Sequence, residues 1–183
     1  MKQLRKGAII YRSKYGSTHQ YAEWLGDRLD LHVYDPTAIT SQQLAGFDFL
    51  IVGSPIYFGK MLIKSWLEKN REVLAGKKIF LFIVCGTPAA DNEKIRQISE
   101  DNIPRWLIRR EDVYFLPGKL VIRKLSLLHR FLLKMGARAE KDPKKKAAMM
   151  GDIDGTSPDN LKEIMQATEK FRTVPENNSQ VPA

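Results

Sequence analysis

Residues 6–18 read Lys-Gly-Ala-Ile-Ile-Tyr-Arg-Ser-Lys-Tyr-Gly-Ser-Thr. The run from Ala8 to Tyr11 is typical of a buried strand, and a helical pattern begins directly after the loop that follows it. Such a connection points several backbone N–H groups and the positive end of the helix dipole at one place, which suits a phosphate. The loop lacks the extra glycines of the dinucleotide fingerprint and the Gly-Lys-Ser/Thr ending of the P-loop. The alternative is an ordinary turn in which Ser17 caps the helix.

The rest of the chain alternates strands with helices. The predicted strands are Ala8–Tyr11, Leu31–Tyr34, Phe47–Val52, Lys78–Val84 and Val113–Leu120. The predicted helices are Thr18–Leu29, Met61–Leu74, a helix capped by Asp91 that ends near Asn102, and a helix capped by Ser157 that ends near Arg172. This alternation predicts the α/β class, a doubly wound five-stranded parallel sheet with strand order 2-1-3-4-5. We expect one domain over residues 1–172, with a basic insertion at about 120–156 and a flexible tail at 173–183.

Two further loops should meet the first one, because ligands of such sheets bind beyond the carboxyl ends of strands 1 and 3. The loop after the third strand, residues 53–59, reads Gly-Ser-Pro-Ile-Tyr-Phe-Gly. Its adjacent aromatic residues suit a planar ligand, although a hydrophobic plug on the next helix is an equal alternative. The loop after the fourth strand, Cys85-Gly86-Thr87-Pro88, offers backbone and hydroxyl hydrogen bonds.

Together the three loops resemble those of the flavodoxin-like family, and the resemblance covers about residues 6–172. It implies FMN as cofactor. The FMN phosphate would contact Ser13, Tyr15, Gly16, Ser17 and Thr18. The isoalloxazine would lie between Pro55, Ile56, Tyr57, Phe58 and Gly59, with Tyr57 or Phe58 as the stacking ring, and its pyrimidine side would border Cys85, Gly86 and Thr87. Lys14 departs from the family pattern, and its charge either neutralises the phosphate or faces water.

The insertion carries most of the net charge of the chain, which is +9. Between Lys119 and Lys146 ten basic residues face only two acidic ones. Read as a helix, Leu120–Met135 places Arg123, Arg130 and Lys134 on one stripe. The apolar arc beside that stripe contains Leu120, Val121, Leu125, Leu128, Phe131, Leu132 and Met135. This pattern predicts a helix on an anionic membrane or on a partner, and the alternative is a helix packed on the body with extended basic side chains.

Within the family, the loop at 53–59 and the long basic insertion most resemble the menaquinone-dependent protoporphyrinogen oxidases. That resemblance implies an FMN-dependent oxidoreductase that passes electrons to a quinone at the membrane surface, with a protoporphyrinogen-like donor. We name no catalytic side chain outside the flavin site, because the flavin performs the chemistry. The alternatives are a flavodoxin-type soluble electron carrier, a class that is usually acidic, and a flavin-free adaptor whose basic helix docks on nucleic acid or lipid.

Composition excludes several other classes. A single cysteine, Cys85, excludes an internal disulfide framework and suits a reducing compartment. The sequence contains neither a signal-peptide core nor an apolar run of membrane-spanning length, so we expect a cytoplasmic protein that can attach peripherally to the inner face of the membrane. His19, His32 and His129 show no metal-ligand spacing. The basic run at 144–146 has no accompanying nucleic-acid motif, so we expect no nucleic-acid partner.

Overall fold

The central feature of the computed structural model is a mostly parallel sheet. The model describes residues 4–87, 91–107, 112–125 and 151–173, together with residues 130–131, 134–135, 137–138 and 143. The strands are β1 (Gly7–Tyr11), β2 (Val33–Tyr34), β3 (Phe49–Tyr57), β4 (Lys60–Met61), β5 (Lys78–Cys85), β6 (Val113–Pro117), β7 (Lys119–Leu120) and β8 (Ile153–Asp154). The helices are α1 (Ser17–Leu29), α2 (Ser41–Ala45), α3 (Lys64–Lys69), α4 (Arg71–Leu74), α5 (Asn92–Asn102) and α6 (Lys162–Thr173). The parallel strands follow the order β2-β1-β3-β5-β6, which confirms the predicted 2-1-3-4-5 order.

Both faces of the sheet are covered, so its central strands are apolar throughout. Alternate residues of β3 enter different clusters: Leu50 packs on one face with Leu67 of α3, and Ile51 packs on the other with Leu25 of α1. Burial on both faces explains why β3 and β5 read as continuous apolar runs instead of alternating ones. At Gly53 a Cβ atom would lie 2.1 Å from Cζ of Phe82, so the Phe82 ring lies over Gly53 in the space that a side chain would need.

The segment after the third strand differs from the prediction. We expected a loop over residues 53–60 and one helix from Met61 to Leu74. Instead, β3 continues to Tyr57 and pairs with β5 as far as Pro55, and β4 then folds back antiparallel to it. Pro55 is compatible with the strand because the pairing of β1 with β3 ends at Gly53, so the missing N–H breaks no ladder there. The predicted helix is two short helices, α3 and α4, separated at Asn70.

The fifth strand and the start of the insertion also differ. The predicted strand Val113–Leu120 is interrupted at Gly118, and β7 leaves the sheet to form an antiparallel two-stranded ribbon with β8. The predicted helix Leu120–Met135 is wrong over its first part, because Leu120 is in β7 and Ile122–Lys124 form a 3-10 turn.

Among the described residues of the insertion, 130–131, 134–135 and 137–138 are helical. Arg123 is therefore not on one helical stripe with Arg130 and Lys134. The guanidinium of Arg130 folds back onto the 3-10 turn instead: its Nε donates to the Ile122 carbonyl at 3.0 Å, and a second nitrogen donates to the Arg123 carbonyl. Leu128 and Leu132 of the predicted apolar arc lie outside the described residues, as do 174–183 of the predicted tail.

Two helix starts, those capped by Asp91 and Ser157, follow the prediction. The Asp91 carboxylate accepts a hydrogen bond from the backbone N–H of Lys94, and the Ser157 hydroxyl accepts one from the N–H of Asp159. The last helix begins with a 3-10 turn over Pro158–Leu161 before α6. Within the part of the chain that the structure describes, we find no helix that combines the length and the apolar character needed to cross a bilayer.

Candidate functional site

A hydrogen bond within the loop between β1 and α1 holds the loop backbone in place, and the helix that follows lacks a side-chain cap among the described residues. The Ser13 hydroxyl accepts a hydrogen bond from the Gly16 N–H at 3.2 Å, and Gly16 has a left-handed backbone with φ +96°. Gly16 occupies the N-cap position, and in this described segment no side chain caps α1. The first intrahelical bond joins the Gln20 N–H to the Gly16 carbonyl. The N–H groups of the three preceding helical residues therefore have no acceptor inside the helix, and an anion would supply one.

Ser17 has a different role from the cap that the alternative interpretation required. It is the first residue of α1 rather than its N-cap. Its side-chain oxygen accepts a hydrogen bond from the backbone N–H of Lys119 at 3.0 Å. Ser17 and Thr18 are both buried, with exposed fractions of 8% and 1%. The side chains of Ser17 and Thr18 thus face the protein interior, while Lys14, Tyr15 and Gly16 of the loop are exposed.

The aromatic residues of the second loop lie on a strained hairpin turn. Phe58 and Gly59 connect β3 to β4, and both have positive φ angles, +47° and +73°. Such paired positive angles match the tight turns that suit hairpin twist, but a bulky residue there is strained. The Phe58 side chain is 60% exposed, whereas Tyr57 is partly buried. The two rings lie edge to face with centroids 4.6 Å apart. Phe58 is therefore the ring of the pair that is open to a ligand.

Lys14 and Tyr15 connect the first loop to the second. The Lys14 ammonium lies 5.6 Å from the centroid of the Tyr57 ring, and the Tyr15 and Tyr57 ring centroids are 6.2 Å apart. Burial raises the pKa of Tyr15, and its hydrogen bond with Tyr57 raises it further. Lys14 was expected either to neutralise the phosphate or to face water. The structure leaves Lys14 exposed to water, and its ammonium also lies over an aromatic face, within the range of a cation–π contact.

The side chain of Asn102, which the sequence analysis did not identify, forms hydrogen bonds that hold the turn between β3 and β4. Its side chain is 3% exposed. Its Oδ1 accepts the Met61 N–H at 2.7 Å, and its Nδ2 donates to the carbonyls of Gly59 and Ile98, each at 3.0 Å. All the main hydrogen-bonding positions of the amide are used, which is how a buried polar group is tolerated. The only sequence signal was a polar residue at the end of an amphipathic helix.

The third loop contributes a buried thiol and backbone groups. Cys85 ends β5 with 7% of its surface exposed, and its Sγ donates to the Thr87 carbonyl at 3.8 Å. Burial raises the pKa of the Cys85 thiol, so the thiol is protonated near neutral pH. The backbone carbonyl of Cys85 accepts a hydrogen bond from the Gly118 N–H at 3.2 Å. Gly86 is exposed and Thr87 is half-buried beside it.

The parallel order of β1, β3 and β5 brings these three loops to the same edge of the sheet. Direct contacts join the first two loops: the Arg12 N–H donates to the Gly53 carbonyl at 2.9 Å, in addition to the ring contacts above. A cleft of about 790 Å³ lies at the opposite edge, near Lys78 and Trp106. There the Lys78 ammonium forms an ion pair with Asp112 at 2.6 Å, which connects the starts of β5 and β6. The candidate site is therefore the carboxyl edge and not this cleft.

The fold and the three loops together define a doubly wound α/β protein whose first strand-to-helix loop leads into a helix start that no side chain of the described segment caps. A family model described as the flavodoxin domain matches residues 8–147, more than half of the chain, and the chain belongs to this family. Membership implies a flavin cofactor, FMN. The residues present fit that group, because an uncapped helix start and small hydroxyl side chains suit a phosphate and an exposed ring suits an isoalloxazine.

Comparisons with individual proteins give more distant similarities. An uncharacterized protein of Methanocaldococcus jannaschii is 30% identical over 86 residues, which cover 45% of this chain and 56% of that protein. The match thus spans about half the length of this curated relative. A flavodoxin from the domain Archaea is 13% identical, with a TM-score of 0.44, covering 90% of this chain and 99% of its own. Flavodoxin 1 from Bacillus cereus is 12% identical, with a TM-score of 0.47, covering 91% of this chain and 96% of its own.

Proposed function

We propose that the chain is an FMN-dependent oxidoreductase whose flavin lies across the three loops at the carboxyl edge of the sheet. The observation that carries this proposal is the uncapped start of α1 beside the left-handed Gly16, in a chain of the flavodoxin domain family. Bound FMN would supply electron and hydride transfer, which side chains of this site do not offer. The protein's own contribution is to bind, orient and shield the flavin.

Each loop has a distinct part in that binding. The N–H groups of Ser17 and Thr18 and the hydroxyls of the loop would hold the phosphate, because the helix dipole favours an anion there. Phe58 would stack on the ring system, since it is the exposed ring of the pair. Tyr57 is engaged by Lys14 and Tyr15 and would act as a support. The backbone at 85–87 would contact the polar edge of the ring.

A quinone is the electron acceptor that we propose, with a protoporphyrinogen-like donor. The support is the sequence resemblance of the loop at 53–59 and of the basic insertion to the menaquinone-dependent enzymes. The net charge of +9 also favours an enzyme over a soluble carrier, because carriers of this type are usually acidic. In this proposal the protein is cytoplasmic and attaches peripherally to the inner face of the membrane, where a quinone is within reach.

The insertion is the proposed contact with an anionic membrane surface. Phe131 and Met135 are 57% and 52% exposed. Both have helical backbone, and they are four positions apart in sequence, the spacing of neighbours on one face of a helix. The neighbouring Lys134 and Arg138 are exposed as well. An exposed apolar pair beside cations is the composition of a helix that lies on anionic lipid.

Anaerobic reduction of the FMN-loaded protein, followed by mixing with separate quinones and porphyrinogens, tests the oxidoreductase proposal. We expect quinones alone to reoxidise the flavin, and a porphyrinogen to reduce it again over many turnovers. Reoxidation only by a protein partner would identify an electron carrier instead. A protein that gains no flavin spectrum when mixed with FMN would be a flavin-free adaptor, and the proposal would be wrong.

Sedimentation with liposomes that contain phosphatidylglycerol tests the membrane contact. We expect the double variant Phe131→Ser, Met135→Ser to sediment several-fold less than the wild type. Leu4→Ser is the matched control, because Leu4 is also half exposed, at 51%, but lies outside the insertion. Equal sedimentation of the double variant and the wild type would exclude this surface.

A further inference from the structure

Two consecutive backbone N–H groups join two of the cofactor loops at the point where the insertion leaves the sheet. The Gly118 N–H donates to the Cys85 carbonyl at 3.2 Å, and the Lys119 N–H donates to the Ser17 hydroxyl oxygen at 3.0 Å. One bond therefore reaches Cys85, the last residue of β5 before the third loop, and the other reaches the first residue of α1. Gly118 and Lys119, which we call the root of the insertion, thus lie against the proposed cofactor site.

This root is fixed to the body of the protein by side-chain hydrogen bonds. The Tyr21 hydroxyl donates to the Pro117 carbonyl at 2.9 Å and accepts from Asn160 Nδ2 at 2.8 Å. Asn160 also donates to the Gly155 carbonyl at 2.9 Å, and the Gly155 N–H donates to the Gly118 carbonyl at 3.2 Å. A Cβ atom at Gly155 would lie only 2.8 Å from Cβ of Pro117, so the two chains of the ribbon meet closely here.

The ribbon itself uses the acidic residues that precede the last helix. Asp154 pairs with the Lys119 ammonium, and its carboxylate also accepts hydrogen bonds from the hydroxyl and the N–H of Thr156. Asp152 accepts the Ile122 N–H at 2.8 Å. Asp152 and Asp154 therefore hold the two strands of the ribbon together, and this accounts for the acidic sequence at 152–154. We call the formation of these contacts ribbon closure. Closure, in turn, sets the position of the Lys119 N–H.

The hydrogen bond from Lys119 determines what the Ser17 hydroxyl can do. A serine hydroxyl has one hydrogen to donate and two lone pairs to accept with. Because one lone pair is held by the Lys119 N–H, the hydroxyl hydrogen is directed away from the ribbon and remains available to an anion. A chain that runs from N–H to O–H to an anionic oxygen strengthens each of its bonds, most of all where the hydroxyl is buried as it is here.

We propose that the ribbon is a positioning element for the cofactor phosphate, and that ribbon closure and phosphate binding stabilise each other through Ser17. The proposal rests on the proposed function, since it requires FMN at this site. Coupling of this kind is reciprocal. A ligand that draws the insertion away from the body would therefore weaken FMN binding, and bound FMN would hold the insertion in place.

Amide hydrogen exchange measured by NMR on the full chain tests the coupling. The Lys119 amide is compared in flavin-free protein, with FMN and with riboflavin, which lacks the phosphate. We expect FMN to slow exchange at Lys119 by about fivefold, the size of effect expected for one hydrogen bond, and riboflavin to leave it unchanged. Ser17→Ala should abolish the FMN-specific slowing, and Ser17→Thr should keep it because the hydroxyl remains.

Tyr21→Phe provides a second variant that does not alter the phosphate loop. It removes the hydroxyl that holds Pro117 and retains the buried ring. We expect several-fold weaker FMN binding with unchanged riboflavin binding. Equal protection of Lys119 by FMN and riboflavin, or FMN-specific slowing that persists in Ser17→Ala, would overturn the coupling and leave the flavin site intact. Failure of wild-type protein to bind FMN would overturn the proposed function and this inference together.

Discussion

Substitution of Gly16 tests the phosphate loop most directly, because the chain contains a matched control. Gly16 has φ +96° and Gly76 has φ +83°, and a Cβ atom at either position would meet nothing within 4 Å. Gly76 lies before β5, at the edge of the sheet opposite the site. An L-residue in a left-handed conformation costs about 1–2 kcal/mol. Alanine or aspartate should therefore destabilise the fold by similar amounts at both positions.

Only aspartate at position 16 should also repel the cofactor. Two unit charges about 4 Å apart interact by roughly 1 kcal/mol in water and about 4 kcal/mol at an effective dielectric constant of 20, and a phosphate carries nearly two charges. We expect Gly16→Asp to weaken FMN binding at least about 30-fold relative to Gly16→Ala, and both Gly76 variants to bind FMN normally. Quenching of flavin fluorescence measures the affinity, and denaturant unfolding measures the strain. FMN affinities within threefold for Gly16→Asp and Gly16→Ala would refute the phosphate assignment.

Three further predictions concern individual contacts. Asn102→Ala should destabilise the fold by about 2 kcal/mol and weaken FMN binding, because it leaves the buried Met61 N–H without an acceptor. The control Asn70→Ala should have neither effect, since the Asn70 side chain bonds to the Trp66 carbonyl of the neighbouring helix α3. Thermal unfolding and flavin titration of the two variants measure the difference. The Asp154 pKa is lowered to about 2, chiefly by the hydrogen bond from Lys119, below its unfolded value of 3.8. The Asp154–Lys119 ion pair should thus be complete above about pH 4 and be lost as pH falls towards 2. An NMR titration of the Asp154 carboxyl group measures this, and a midpoint near pH 4 would contradict it. The raised pKa of Cys85 predicts slow reaction with an aromatic disulfide reagent at pH 8, and a fast reaction of the folded protein would refute its burial.

The fold was predictable because burial on both faces gives a plain signal. The apolar runs of β3 and β5, alternating with helical patterns, are typical of a doubly covered parallel sheet, and the expected strand order of such a sheet is the one observed. The errors lie where pairing, not composition, decides the conformation. Residues 53–57 carry turn-forming Gly and Pro, yet they remain extended because β5 offers a partner as far as Pro55 and β4 offers one beyond it.

The candidate site was predictable as a set of loops but not as a set of contacts. The three loops meet at one edge because their strands are neighbours in the sheet. The contributions of Asn102 and of the Lys119 amide depend on tertiary contacts across 41 and 102 positions of sequence, which no local pattern contains. The prediction of a helix at 120–135 was wrong at its start for the same reason, because Leu120 pairs with Ile153 of β8 as part of a strand.

The distribution of strain supports the carboxyl edge as the functional one. In the described ranges, two non-glycine residues have positive φ angles, Asp30 and Phe58. Asp30 ends α1, where a left-handed residue satisfies the last carbonyls of a helix and is common. Phe58 has no such reason, and its cost of about 1–3 kcal/mol is offset by the buried amide of Asn102 that holds the turn. The strain leaves the Phe58 ring 60% exposed beside Tyr57, the ring that Lys14 contacts. At the opposite edge the charges of Lys78 and Asp112 are paired with each other, so the strained turn supports the ligand contact that we propose at the carboxyl edge.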